Sequence, residues 1–269
     1  MTVNRGVTWL ARGGYAARGL VYVIVGGLAI AAALGSGQAV GAEGALRSML
    51  GERFGSLLLW IILLGLFCFS AWRLTQALGD TDSHGRDPKG LLIRTGLLGS
   101  AAAHLLLALF TLGLLLDGLG TDSSGGNGKD GLQRLLAWDH ANLLVYAVAL
   151  VPLGVGVAHL IKAWTLDFTR YFQADEQVMR WVRPLSRIGL TARGCAFLII
   201  AALLFFGGRR YRPTDPPGLE EALEALQGLP AGTWLLLAIG LGLLSFALYS
   251  FAQARWRRID LAAVMPGHA

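Results

Sequence analysis

Every long apolar run of this sequence lacks aspartate and glutamate, and charge of either sign is scarce throughout. Charged residues make up 15% of the 269, against about 25% in soluble domains. That shortage argues against a chain solvated mainly by water. Cysteine is nearly absent as well. Cys68 and Cys195 fall inside apolar stretches with no ligand-spaced neighbours, which excludes a disulfide framework and a thiolate metal cluster. Both read as small buried hydrophobes. No nucleophile–base–acid set and no pair of carboxylates lies within an apolar run, so enzyme chemistry has little support. No catalytic residue, metal site or cofactor is expected.

What is plentiful is hydrophobicity: 54% of residues, with a mean hydropathy of +0.55. The net charge of +6 could point to nucleic acid. The basic residues, however, sit in short pieces between apolar runs, which is how membrane topology is set, and no nucleic-acid partner is expected. A helix needs about 20 mostly apolar residues to cross a bilayer core. Six stretches qualify: 15–34, 54–78, 96–116, 141–164, 189–207 and 233–254. The first resembles a secretory signal, with Arg5 and Arg12 ahead of it. Two later counterparts of the same segment argue against its cleavage. The N-terminal segment, the loops after the second and fourth stretches and the tail hold twelve basic residues, against seven in the other loops. That asymmetry places both termini in the cytoplasm.

An internal repeat is visible by eye. Arg12-Gly13-Gly14-Tyr15-Ala16-Ala17-Arg18-Gly19 opens the first stretch, and Arg187-Ile188-Gly189-Leu190-Thr191-Ala192-Arg193-Gly194 opens the fifth. The third opens with Arg94-Thr95-Gly96, then drifts: Ser100 stands at the second arginine and His104 at the aromatic position filled by Tyr22 and Phe197. The even stretches end alike, at Trp72–Ala77, Ala158–Ala163 and Tyr249–Ala254. Amphipathic segments at 45–50, 132–138 and 219–226 follow the odd stretches, with apolar residues at helical spacing, as expected of helices lying on the outer membrane surface or capping the bundle. The fold expected is an all-α membrane protein, a single domain over residues 1–269. Its six transmembrane helices form three tandem hairpin repeats, at 5–80, 87–168 and 180–260. Each copy has an even number of spans, so the copies run parallel and imply a pseudo-threefold axis along the membrane normal.

The R-x-G-x-x-A-R-G openings at Arg12 and Arg187 and the W-R-L-x-Q-A ending at Trp72–Ala77 resemble the DUF1206 family of bacterial membrane proteins. The resemblance covers nearly the whole chain. It implies a threefold-repeated six-span domain of the bacterial plasma membrane, with no catalytic residues to carry over. The middle copy departs most from the pattern.

Ionisable groups inside spans are costly and are the first place to look for function. Here they are Arg18, Arg73, His104, His159, Lys162 and Arg193. With no carboxylate at their depth, their expected partners are backbone carbonyls, water, lipid phosphate or a bound anion. Arg18 and Arg193 lie six residues past Arg12 and Arg187, roughly 9 Å inward. By repeat, Arg18, Ser100 and Arg193 share one level, and Arg73, His159 and Ser250 another. The candidate ligand-binding set is Arg18, Arg73, Arg193, His104, His159, Ser100 and Tyr22. It would serve a binding or conducting module for a small anion or an anionic lipid headgroup at the cytoplasmic mouth. In the competing reading the arginines only snorkel to headgroups and the protein is a scaffold. A third reading, a lipid-directed enzyme, would rest on His104. Glycines at Gly26, Gly27, Gly113, Gly154, Gly156, Gly240 and Gly242 are expected to mark close helix approaches.

Overall fold

The computed structural model describes residues 2–36, 40–117, 141–165, 167–207 and 219–259. The helices are α1 (Thr2–Ala33), α2 (Ala42–Ser48), α3 (Gly55–Gly79), α4 (Pro88–Asp117), α5 (Ala141–Thr165), α6 (Glu176–Gly207), α7 (Leu219–Gln227) and α8 (Gly232–Trp256). Short 3-10 turns follow at Met49–Gly51 and Asp167–Tyr171. Among the described residues, extended pairing is limited to one bridge, between Phe172 and Arg257.

Three long helices begin well before their apolar stretches: α1 at Thr2, α4 at Pro88 and α6 at Glu176. Apolarity marks the part of a helix that lipid covers, whereas the hydrogen-bond ladder continues until a cap stops it. At α4 the cap is Asp87, whose carboxylate accepts the Gly90 N–H at 3.1 Å. Pro88 follows in the first turn, where its missing N–H costs nothing. The extension of α6 is amphipathic. Met179 and Val182 pack on Ala252, while Trp181 is exposed.

The surface is apolar and part of the interior is charged. Leu64 and Leu106 are each 67% exposed, while Arg18, Gln76 and Gln253 are buried. A soluble monomer rarely shows such continuous apolar surface. Five of the described helices are long and apolar enough to cross a membrane by length and composition, and α5 adds the apolar piece Ala149–Thr165. The protein is a multi-pass membrane protein.

Neighbours in space run in the order α4, α3, α1, α8, α6, α5. Two hairpins close by the same device. A Cβ on Gly14 would lie 2.5 Å from Phe69 Cα, so α1 and α3 touch backbone to backbone, and Gly189 abuts Phe246 between α6 and α8 in the same way. One turn on, Ala17 sits on Gly65 and Ala192 on Gly242. Small residues matter here because lipid offers no hydrophobic drive for helix association, which leaves close packing to supply it. Between copies, Gly26 crosses Gly240 and Gly156 crosses Gly194. Gly27, Gly113 and Gly154, also expected at close approaches, instead face open space. In the middle copy, α4 and α5 do not pack along each other among the described residues. Gly96, the counterpart of Gly14 and Gly189, has nothing within 4 Å.

α2 and α7 cap the end of the bundle away from the termini. Leu46 and Met49 join a core with Val25, Leu59 and Leu114, and Leu223 and Leu226 join Ala29, Ala32 and Leu236. The segment 132–138 expected to do the same in the middle copy lies outside the described residues. Cys68 and Cys195 are free thiols and only half-buried.

Candidate functional site

On α1, Tyr15, Arg18 and Tyr22 recur at three- and four-residue spacing and so share one face. That face meets Phe69 and Arg73 of α3 and Phe246, Ser250 and Gln253 of α8. The Arg18 guanidinium, 4% exposed, donates from Nε to Ser250 Oγ at 3.1 Å and from Nη2 to Gln253 Oε1 at 2.6 Å. It lies 4.8 Å from the Phe69 ring centre and 5.0 Å from that of Phe246. Arg73 lies on the same Phe69 ring, at 4.8 Å, and donates to Gln76 Oε1 at 3.1 Å. Arg193 shares Phe246 with Arg18, at 4.6 Å, and also lies over Tyr22 and Phe197. The three arginines of the expected set therefore converge: Arg18 shares the Phe69 ring with Arg73 and the Phe246 ring with Arg193. A cation over a ring face gains about 0.5–2 kcal/mol, more when desolvated. The partners differ from those expected of Arg18, Arg73 and Arg193: they are ring faces, side-chain amides and a serine, not backbone carbonyls.

The two histidines flank the cluster from α4 and α5. His104 Nδ1 bonds its own helix at the Ser100 carbonyl, 2.7 Å away, and its ring centre is 4.4 Å from that of Phe69. His159 Nδ1 bonds the Val155 carbonyl at 2.8 Å and lies near Phe197 and Phe246. Ser100 thus contributes its carbonyl, and its hydroxyl makes no hydrogen bond among the described residues. Tyr22, on the same helix face as Arg18, packs under Arg193 and edge-on to Phe246.

Several members lie outside the expected set. Lys162 of α5 is within electrostatic reach of Arg257, Arg73, Arg18 and Asp82. Asp82 arrives from the loop after α3. Arg257 Nη2 donates to both its oxygens, at 3.0 and 2.8 Å, and Gln76 Nε2 donates to it at 2.8 Å. The side chains of this ion pair are 3% and 10% exposed. Among the described residues, the Tyr249 hydroxyl is buried with no hydrogen-bond partner, as are Nε of Arg193, Arg73 and Arg257. One signal for these residues was present: Gln76, Lys162 and Gln253 are counterparts in the repeat, one turn from Arg73, His159 and Ser250.

The loop that carries Asp82 is knitted by Asp80, which ends α3 in a left-handed conformation with φ 48°. Its carboxylate accepts the N–H groups of His84 and Gly85, each at 2.7 Å. Burial opposes its ionisation, but these bonds and Arg94 outweigh that and hold the carboxyl below its ordinary value. Burial lowers His84, against a smaller pull from Asp82 and Asp80. The folded loop therefore binds fewer protons than the unfolded chain. Its stability is complete above the ordinary histidine range and is lost as pH falls, first through His84 and then through Asp80. Amide exchange of Ser83–Gly85 should accelerate, after correction for intrinsic rate, between pH 7.5 and 5. Protection that stays constant would refute this coupling. A cavity of about 430 Å³ beside the turn is lined by Leu78, Gly79, Asp80, Ser83, Gly85, Arg86 and Arg94. None of Arg18, Arg73 and Arg193 lines it.

The first arginine of the second and third openings has another task. Arg94 donates from Nε to the Ala77 carbonyl at 2.7 Å and from Nη2 to that of Leu78 at 3.1 Å, and Arg187 donates to Ala163 at 3.3 Å. Each seals the carbonyl end of the helix before it, where positive charge is also favoured. The end of α8 is tied differently: Gln173 N–H donates to the Trp256 carbonyl, and Arg258 N–H donates to that of Tyr171, each at 2.8 Å.

Among known proteins, the chain is similar to the uncharacterized protein YxxB of Bacillus subtilis (strain 168), at 29% identity over 249 residues, covering 91% of this chain and 90% of the relative. No solved structure matches it. The profile described as Domain of Unknown Function (DUF1206) matches three times, over residues 13–80, 95–166 and 188–257. On those three matches, which span most of the sequence, the chain belongs to the DUF1206 family.

Proposed function

We propose that the protein is a binding module of the bacterial plasma membrane that holds an anion at its cytoplasmic mouth. In this reading six helices span the bilayer as three two-helix copies around a pseudo-threefold axis, and both termini are cytoplasmic. The observation that carries it is a charge imbalance. Arg18, Arg73, Arg193, Lys162 and Arg257 form one electrostatically linked cluster, and among the described residues Asp82 is the carboxylate that reaches it, at Arg257 and Lys162. Unpaired charge in a water-poor interior is expensive, and a bound anion would remove that cost. Arg193 is the clearest member, because its guanidinium rests on rings and makes no hydrogen bond among the described residues. The excess of basic residues on this side supports its assignment to the cytoplasm.

The scaffold reading needs guanidinium groups that reach the headgroups around the perimeter. The burial of Arg18 and its bonds to α8 run against it. The test is calorimetric binding of inorganic phosphate to protein in phosphatidylcholine nanodiscs. Arg18→Ala with Arg193→Ala should abolish binding while insertion is unchanged. Arg193→Gln, which gives up no hydrogen bond, should weaken it at least tenfold. A wild type that binds no phosphate, or an Arg193→Gln variant that binds as well as wild type, would refute the proposal.

A further inference from the structure

The middle copy is built from the same plan as its neighbours, yet its two helices stand apart, and the residues that would close it are the ones left bare. In the first and third copies the closing rows are Gly14, Ala17 and Val21 against Gly65, Phe69 and Trp72, and Gly189, Ala192 and Ala196 against Gly242, Phe246 and Tyr249. All twelve are buried. The corresponding row on α4 is Gly96, Gly99 and Ala103, all exposed, and on α5 it is Val151, Val155 and Ala158, of which only Val155 is half-buried. Gly96 and Gly99 have nothing within 4 Å, and Val151 is 65% exposed.

The substitutions explain the gap. A β-branched valine stands where the other copies have the glycine of closest approach. Valine and alanine stand where they have the aromatic rings that fill the interface. Bulk is present where contact needs none and missing where contact needs it, so the hairpin gains no packing by closing. The walls that remain are small and apolar, with no hydrogen-bonding side chain among these six residues.

The gap opens beside the cation cluster. His104 on α4 packs against Phe69, which carries Arg18 and Arg73, and His159 on α5 lies near Phe246, which carries Arg193. Within the cluster, the Tyr249 hydroxyl is 2% exposed and unpartnered, in the field of Arg257, Arg18 and Arg73. A slot with apolar walls meets a surplus of positive charge. We infer that the anion of the preceding section is the headgroup of a lipid-like amphiphile, which reaches the cluster sideways with its hydrocarbon chain lying between α4 and α5. This rests on the anion reading and adds the class of ligand and its route. Apolar walls suit a chain, while a free anion entering from water would have no use for a slot open to lipid.

The probes are phosphatidylglycerol, scored by native mass spectrometry against phosphatidylcholine, and inorganic phosphate, scored by calorimetry. Gly99→Trp fills the slot from a position with no neighbour to clash with. Wild type should retain phosphatidylglycerol at least tenfold over phosphatidylcholine. Gly99→Trp should lose that preference while inorganic phosphate binds within twofold of wild type. Undiminished phosphatidylglycerol retention in Gly99→Trp overturns the slot and leaves the anion site standing. A dimer that becomes monomeric in Gly99→Trp with lipid retention unchanged also overturns it, because the slot would then face a second copy. A wild type that binds neither probe overturns the anion reading and this inference with it.

Discussion

Replacing Asp82 by alanine should destabilise the protein by about 3–5 kcal/mol, the usual cost of stranding one partner of a buried ion pair. Arg257 would be left 3% exposed with no carboxylate, and Gln76 would lose its acceptor. In a chain of this size that is a fall of roughly 6–20 °C in the unfolding midpoint, readable from tryptophan fluorescence in detergent. Adding Arg257→Met should recover much of the loss, since well-packed apolar residues often replace a buried pair at little cost. A single variant as stable as wild type, or a double variant no better than the single, would contradict this account. The same change carries a functional readout. It removes the negative charge from the cation cluster, so inorganic phosphate should bind tighter to a less stable protein, a combination that a purely structural Asp82 would not produce.

Leucine at Gly14 and leucine at Gly96 should behave as opposites, although the two glycines occupy the same place in their copies. At Gly14 even a Cβ would press on the Phe69 backbone. Backbone cannot rotate away as a side chain can, so α1 and α3 must separate. Overpacking commonly costs about 1–3 kcal/mol, and contact with backbone puts this case at about 3 kcal/mol or more. Phosphate binding should fall as well, because Phe69 is the wall that Arg18 and Arg73 share. At Gly96 the new side chain meets open space, and leucine is the better helix former by about 0.8 kcal/mol. Stability should stay level or rise slightly. Equal tolerance at both positions in a thermal melt would mean that the first hairpin is not closed as described.

The helices and the two packed copies are legible in the sequence because they rest on local quantities: length of apolar run, helical spacing and the recurrence of Arg-x-Gly. The convergence of Arg18, Arg73 and Arg193 follows from the same register. Asp82 is not legible, since a loop residue finds its partner only once the loop has folded back, and nothing in Asp80–Asp87 announces that Arg257 is within reach. Phe69 and Phe246 are hidden for a different reason. On a helix in lipid, a ring facing outward and a ring supporting a guanidinium belong to equally apolar surroundings in sequence, and only the neighbouring helix tells them apart. The gap at α4 and α5 sits between these cases: Val151, Val155 and Ala158 are plainly unlike their counterparts, but the drift alone does not say whether the helices compensate or part.

The guanidinium groups of Arg94 and Arg187 close off α3 and α5 from the copy that comes next. During synthesis, the first two copies therefore leave the ribosome with one helix end still open, to be sealed by the copy that follows. The last hairpin instead fastens to the linker already laid down before it, through Gln173 and Tyr171. Fragments cut between copies should then be poorer folders than their hydrophobicity suggests, because each cut strips a helix end of its cap.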